Sequence, residues 1–166
     1  MTDMCGMFYH CTSYQGLGIG AWDTSSVTDM EQIFCGCEVF NGEIGAWDTS
    51  SVTNAFAMFQ DCTSYEGLGI GAWNTSSLTD IECMFDRCEK FIGQGIGAWD
   101  VSSATNMSYM FCGCVIFSVQ INRRITGPPP RPCVVAARRT DSHTGKLRPG
   151  HQRLGYVISH DDEGNV

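Results

Sequence analysis

Ten cysteines are the side chains best suited to chemistry in this 166-residue sequence. Five of them, Cys11, Cys37, Cys62, Cys88 and Cys114, recur at intervals of 25 or 26 residues. Thiolates could hold zinc or cycle through disulfides. Zinc sites, however, need paired ligands at short, repeated spacing, such as CxxC…CxxC. The two C-x-C pairs present, Cys35/Cys37 and Cys112/Cys114, lie three repeats apart. The recurrent five fall on an apolar face, where a free thiol behaves as a small hydrophobe. They are expected to form a buried ladder without chemistry. For the irregular Cys5, Cys35, Cys83, Cys112 and Cys133, disulfides stay open if the protein is exported.

Two carboxylate rows offer a second chemistry. Asp23, Asp48, Asn74 and Asp100 share one repeat position, and Asp29, Asn54, Asp80 and Asn106 share another. Stacked carboxylates and carbonyls suit a hard cation such as calcium. The simpler reading is turn capping, since Asx side chains bond nearby backbone N–H groups. Alternation of Asp with Asn in the second row relieves repulsion between neighbours. The capping reading is preferred, and no metal or cofactor is expected. Thr28, Thr53, Thr79 and Thr105 form a hydroxyl row. Such a row could order water or ice, but ordinary sheet-like stabilisation explains it.

Catalytic machinery is not evident. The repeats contain one histidine, His10, at a position that does not recur, and no GxSxG, P-loop or HExxH string occurs. The glycine-rich strings, such as Gly16–Gly20, are repeat turns rather than nucleotide loops. Asn74-Thr75-Ser76 and Asn106-Met107-Ser108 are glycosylation sequons inside the repeat body, where little use is expected.

The elements that carry these residues come from one phrase. Trp22, Trp47, Trp73 and Trp99 are spaced by 25, 26 and 26 residues. Each is followed at fixed distance by Phe34, Phe59, Phe85 or Phe111, then by the recurrent cysteine, then by Phe40, Tyr65, Phe91 or Phe117. A fixed period in this range marks a stacked array, in which one unit cannot bury its apolar face alone. Within a unit, Asp23-Thr24-Ser25-Ser26 reads as a turn and Val27–Met30 as a short extended segment. Met30, Phe34, Cys37 and Phe40 fall near helical spacing, which predicts a short α or 3-10 turn. Ile19 and Trp22 are expected to point inward, so the tryptophans read as core rather than as sugar platforms. The single 25-residue interval arises where the loop after Phe40 is one residue shorter, in a glycine-rich turn where length varies at little cost.

Charge divides the chain. Residues 1–122 hold fourteen Asp and Glu against two Arg and Lys, and residues 123–166 hold four against eight. An acidic array repels phosphates, so nucleic acid is not an expected partner. No apolar run approaches the ~18–20 residues needed to span a bilayer, and no leader peptide precedes the repeats. Thr2-Asp3-Met4 already matches Thr28-Asp29-Met30. With no N-terminal cap, the chain reads as a fragment of a longer array. After Ile121 the pattern stops in mid-repeat, and Arg123-Arg124 and Pro128-Pro129-Pro130 open a basic segment expected to be disordered. Because the break misses a unit boundary, an interrupted array (a shifted reading frame, for example) is preferred to a partner-binding tail. Val134–Ala137 and Leu154–Ile158 can at most form weak strands.

The phrase Trp-Asp-Thr-Ser-Ser-Val-Thr-Asp-Met followed by Met-Phe-x-x-Cys-x-x-Phe resembles the BspA-like leucine-rich-repeat surface proteins. The resemblance runs from Met1 to about Asn122 and is closest at 47–59, 73–91 and 99–117. It implies a leucine-rich-repeat-like solenoid at the cell surface or outside the cell, with adhesion or protein binding as its role and no catalytic residues to carry over.

The expected fold is an α/β repeat: a leucine-rich-repeat-like solenoid of about 26-residue units over 1–122, with short strands and short α or 3-10 turns, then a disordered tail over 123–166. The expected function is non-enzymatic recognition of a protein or other surface macromolecule. Specificity is expected at the variable positions Glu31, Gln32, Ala57, Glu82, Ser108 and Tyr109, with Cys83 beside them. The alternatives are a structural spacer, possibly stiffened by calcium, or a fragment with no role of its own.

Overall fold

The computed structural model describes residues 1–117 and the backbone of two dipeptides, 135–136 and 154–155. The chain over 1–117 winds through successive coils of similar shape. Adjacent coils meet at single parallel bridges, Asp3 to Asp29, Asp29 to Asn54, Asn54 to Asp80 and Asp80 to Asn106. The extended segment expected around Val27–Met30 is thus reduced to one bridging residue per coil.

The segment after each bridge is not a helical turn. In the second coil, the N–H groups of Met30, Gln32, Phe34 and Gly36 donate to the carbonyls of Asn54, Phe56, Met58 and Gln60 in the next coil. The alternate N–H groups, of Ile33, Cys35 and Cys37, donate three residues back within the coil, to Met30, Gln32 and Phe34. The backbone therefore spends half its donors locally and half on its neighbour, where an α-helix would spend all of them locally. Within this segment two residues per coil also have left-handed φ, here Gln32 at 52° and Gly36 at 76°, which no right-handed helix passes through. The 3-10 turns lie elsewhere, at Ile19–Ala21, Ile70–Ala72 and Ile96–Ala98. Each follows a left-handed glycine and ends as the tryptophan N–H bonds the isoleucine carbonyl. In the shorter second loop only that last bond survives, Trp47 N–H to Ile44 at 3.1 Å.

Side chains stack in register. Ring centroids of Phe8, Phe34, Phe59, Phe85 and Phe111 follow one another at 5.6, 5.6, 5.5 and 5.7 Å. A second column, Tyr14, Phe40, Tyr65, Phe91 and Phe117, packs against the first, with rings 4.0 to 4.5 Å apart within a coil. Trp47, Trp73 and Trp99 are buried, and their Nε1–H groups donate to the carbonyls of Ile19, Ile44 and Ile70 one coil earlier. Each buried aromatic contributes roughly 1.5–3 kcal/mol through the hydrophobic effect, and no single coil could bury its own.

The tail expected from 123 onward lies outside the described residues, apart from two short strands. Strand β1 (Val135–Ala136) pairs antiparallel with β2 (Leu154–Gly155) in the register Val135 to Gly155 and Ala136 to Leu154.

Candidate recognition surface

Each coil leaves its core two residues after the bridge. The bridging Asp or Asn caps this exit. Asp3, Asp29, Asn54, Asp80 and Asn106 each accept, through Oδ1, the backbone N–H two residues on. Those N–H groups belong to Cys5, Glu31, Phe56, Glu82 and Ser108, one of the two variable positions. The Asp–Asn alternation is used further. Asn54 Nδ2 donates to Asp29 Oδ2 at 3.3 Å and Glu31 Oε2 at 3.1 Å, and Asn106 Nδ2 donates to Glu82 Oε2 at 2.6 Å. Amide donors thus hold the glutamates along an acidic ridge.

The next residue of every coil turns left-handed: Gly6, Gln32, Ala57, Cys83 and Tyr109, with φ from 50° to 59°. This corner sets the direction of the variable side chains. Glu31, Gln32, Glu82 and Ser108 are half-exposed there, and Tyr109 is 42% exposed. Ala57 departs from the expected face. It is 0% exposed, because a lone methyl in the middle of the stack does not project past the coils on either side. Phe56, overlooked in the sequence, takes the matching place beside Glu31 and Glu82 and is half-exposed.

A second left-handed corner follows four residues later, at His10, Gly36, Asp61, Arg87 and Gly113. It carries polar contacts that sequence reasoning missed. Gln60 Nε2 donates to Asp86 Oδ2 at 2.9 Å, Cys35 Sγ lies 3.8 Å from Gln60 Oε1, and Arg87 pairs with Asp61 at 3.0 Å. Asp86 is 7% exposed and its Oδ1 has no hydrogen-bond partner. Burial raises its carboxyl above the ordinary value, against the pull of Gln60 and Arg87. The available signal was negative: these positions fail to repeat between a repeating Phe and a repeating Cys.

The remaining candidate chemistry resolves into structure. Cys37, Cys62, Cys88 and Cys114 donate S–H to the carbonyls of Phe8, Phe34, Phe59 and Phe85. Desolvation raises the Cys37 thiol to about 11 and Cys114 to about 12, and Cys62 and Cys88 well above the ordinary value. Cys35 and Cys83 are likewise pushed to about 11, so thiolate chemistry at neutral pH has no support in these columns. Cys112 is disulfide-bonded. The first Asx row caps turns: Asp23, Asp48 and Asn74 each accept both the N–H and the hydroxyl of the serine two residues on, and Asp100 accepts the Ser102 N–H. Hydroxyls of Thr28, Thr53, Thr79 and Thr105 donate to the threonine carbonyl one coil earlier. Among the described residues no group of three His, Cys, Asp or Glu side chains is placed to hold a metal ion, and no helix is long and apolar enough to cross a membrane.

No curated protein and no solved structure matches the chain. A family model described as "Mycoplasma protein of unknown function, DUF285" matches residues 2–124. This stretch contains every coil described above, and the chain belongs to that family.

Proposed function

We propose that the chain is a leucine-rich-repeat-like solenoid of the BspA type, serving as a non-enzymatic scaffold for adhesion or protein recognition at a cell surface or outside the cell. The observation that carries this reading is the division of labour within each coil. Repeated residues fill the aromatic, thiol and Asx columns, while changing residues gather at a left-handed corner that, Ala57 apart, turns them toward solvent. Stacked coils of this kind present extended surfaces to macromolecules. The proposed face comprises Glu31, Gln32, Phe56, Glu82, Ser108 and Tyr109. Its acidity favours a partner with basic residues and polar groups at the rim of the contact.

The test uses the full chain, fluorescently labelled, titrated onto intact eukaryotic cells and onto purified extracellular-matrix proteins. A variant combining Glu31→Ala, Gln32→Gly, Glu82→Ala and Tyr109→Gly keeps residues suited to the left-handed corner. Saturable binding that falls at least tenfold in this variant, with its melting temperature unchanged, supports the reading. No saturable binding, or binding indifferent to the substitutions, counts against it.

A further inference from the structure

The loops that follow the second ring column are joined by one splice. Asn41 N–H donates to the carbonyl of Gln15 at 3.4 Å, and Ile92 N–H to the carbonyl of Glu66 at 3.2 Å. Between these two bonds, Glu66 N–H goes to a side chain instead, Asn41 Oδ1 at 3.1 Å. The loop after Phe40 is the one shortened by a residue, and the Asn41 side chain makes up the reach. The same residue is exposed. It stands before Gly42 in the one Asn-Gly pair of the sequence.

Gly42 is fixed by space. Its counterparts Gly16, Gly67 and Gly93 have left-handed φ of 84°, 75° and 68°, but Gly42 does not. A Cβ on it would lie 2.8 Å from the Gly16 carbonyl oxygen and 3.0 Å from the Gly16 Cα. Two backbones pass each other there, so the position admits no side chain. Among the described residues the Gly42 N–H donates no hydrogen bond. Other asparagines of the coils are held differently. Asn54 spends Oδ1 on Phe56 N–H and Nδ2 on Asp29 and Glu31, and the N–H after it, of Ala55, donates to Asp80. Asn74 accepts two bonds from Ser76 through Oδ1 and precedes the buried, β-branched Thr75.

We propose that Asn41 is a site of self-modification: its side chain cyclises onto the Gly42 nitrogen in the folded protein and opens in water to aspartate and isoaspartate. The Gly42 nitrogen bonds Asn41 Cγ and gives up its proton, the Cγ–Nδ2 bond breaks, and ammonia departs from a five-membered imide. No Cβ at Gly42 obstructs the approach, and the permissive backbone of glycine supplies the rotation. The Glu66 N–H on Oδ1 stabilises the charge that builds on this oxygen during attack. Water then adds to one of the two ring carbonyls and breaks its bond to nitrogen. Breaking the bond at Cγ gives aspartate. Breaking the bond at the main-chain carbon gives isoaspartate, whose backbone runs through Cβ and is one atom longer. No oxidant or reductant takes part. Either product adds one negative charge to the formal −8 of the chain. Isoaspartate also displaces the acceptor that joins the second coil to the third.

The experiment incubates the full chain at pH 8, folded and in urea, and follows it by digestion and mass spectrometry, with a zero-time sample correcting for the digestion itself. In the folded protein Asn41 is expected to gain the one dalton of amide-to-acid exchange roughly tenfold faster, or more, than Asn54 and Asn74, because no Cβ guards the attacking nitrogen. Electron-transfer fragmentation is expected to find isoaspartate at this position. Conversion seen only in urea overturns the proposal, since the fold then shields the imide path. Equal rates at Asn41 and Asn54 in the folded protein overturn it as well, and so does aspartate without isoaspartate, which excludes the cyclic route.

Discussion

Cys62 Sγ lies 3.0 Å from the carbonyl oxygen of Phe34, which already accepts the backbone N–H of Cys37 at 2.9 Å. The thiol therefore uses the second lone pair of a carbonyl whose first is filled by its own coil. This makes cysteine a donor between coils as well as a filler of space. Cys62→Ala is expected to cost about 1 kcal/mol, the ordinary net value of a hydrogen bond, because the carbonyl keeps one partner. Cys62→Ser, which keeps a donor, should melt no lower than Cys62→Ala. If burial alone mattered, Ser would melt lower. Thermal melts of the two variants decide between these outcomes.

Thiol accessibility provides a second check. Cys5 and Cys11 are exposed, while Cys37, Cys62 and Cys88 are buried and their thiols raised by desolvation. Iodoacetamide at pH 8 should label Cys5 and Cys11 in the native protein and reach the buried three only in denaturant. Mass spectrometry of digested protein reads the pattern. Rapid native labelling of Cys62 or Cys88 would contradict the packed column.

Tyr65 stands where Phe40 and Phe91 stand in adjacent coils, and its hydroxyl is buried without a hydrogen-bond partner. Tyr65→Phe removes an unsatisfied polar group and keeps the ring. The variant is expected to be more stable by about 1–3 kcal/mol, the usual desolvation cost of such a group. A lower melting temperature would mean that the hydroxyl finds a partner in solution.

Two glycines separate backbone strain from crowding. Gly18 has φ 79° with open space where a Cβ would go, and Gly67 has φ 75° with that space occupied by the Phe91 ring. Gly18→Ala should cost about 1–2 kcal/mol, the left-handed penalty alone. Gly67→Ala should cost a further ~1–3 kcal/mol for overpacking. Equal losses in urea unfolding would show that the ring yields.

Acid affects the protein in two opposing ways. Hydrogen bonds from Ser25, Ser50 and Ser102 lower the Asp23, Asp48 and Asp100 carboxyls. Their stabilisation is present above the unfolded value of 3.8 and is lost as pH falls through the folded values. Asp86 is raised by burial, so its contribution is present below 3.8 and is lost as pH rises through its folded value. Asp86→Asn is expected to raise the melting temperature at pH 7 and to lose that advantage near pH 3. A gain independent of pH would point to packing instead of charge.

The columns were legible in the sequence because stacking preserves period. Phe34, Phe59, Phe85 and Phe111 keep the same phase, and identical residues in phase must lie over one another. The Asx caps were legible because Asp23-Thr24-Ser25 places a carboxylate two residues before a serine. The local path of Met30–Phe40 was not. Its apolar spacing fits a helix, but the bonds of Met30 and Gln32 go to the next coil, and periodicity carries no information on where an N–H points. Ala57 was misplaced for a related reason. Variability marks where selection is loose, whereas exposure depends on how far a side chain reaches past its neighbours.

The donation from the Met30–Gly36 segment and its counterparts to the coil that follows bears on how the chain is made. Synthesis runs from the N-terminal side, so each such segment leaves the ribosome with a row of N–H groups whose acceptors have not yet been translated. Translation at roughly 5–20 residues per second delivers the next 25 or 26 residues in about 1–5 s. The growing protein thus always carries its reactive edge at the newest end. The row on Phe34 and Gly36 must wait for Met58 and Gln60, and any neighbouring nascent copy is a competitor for it during that interval.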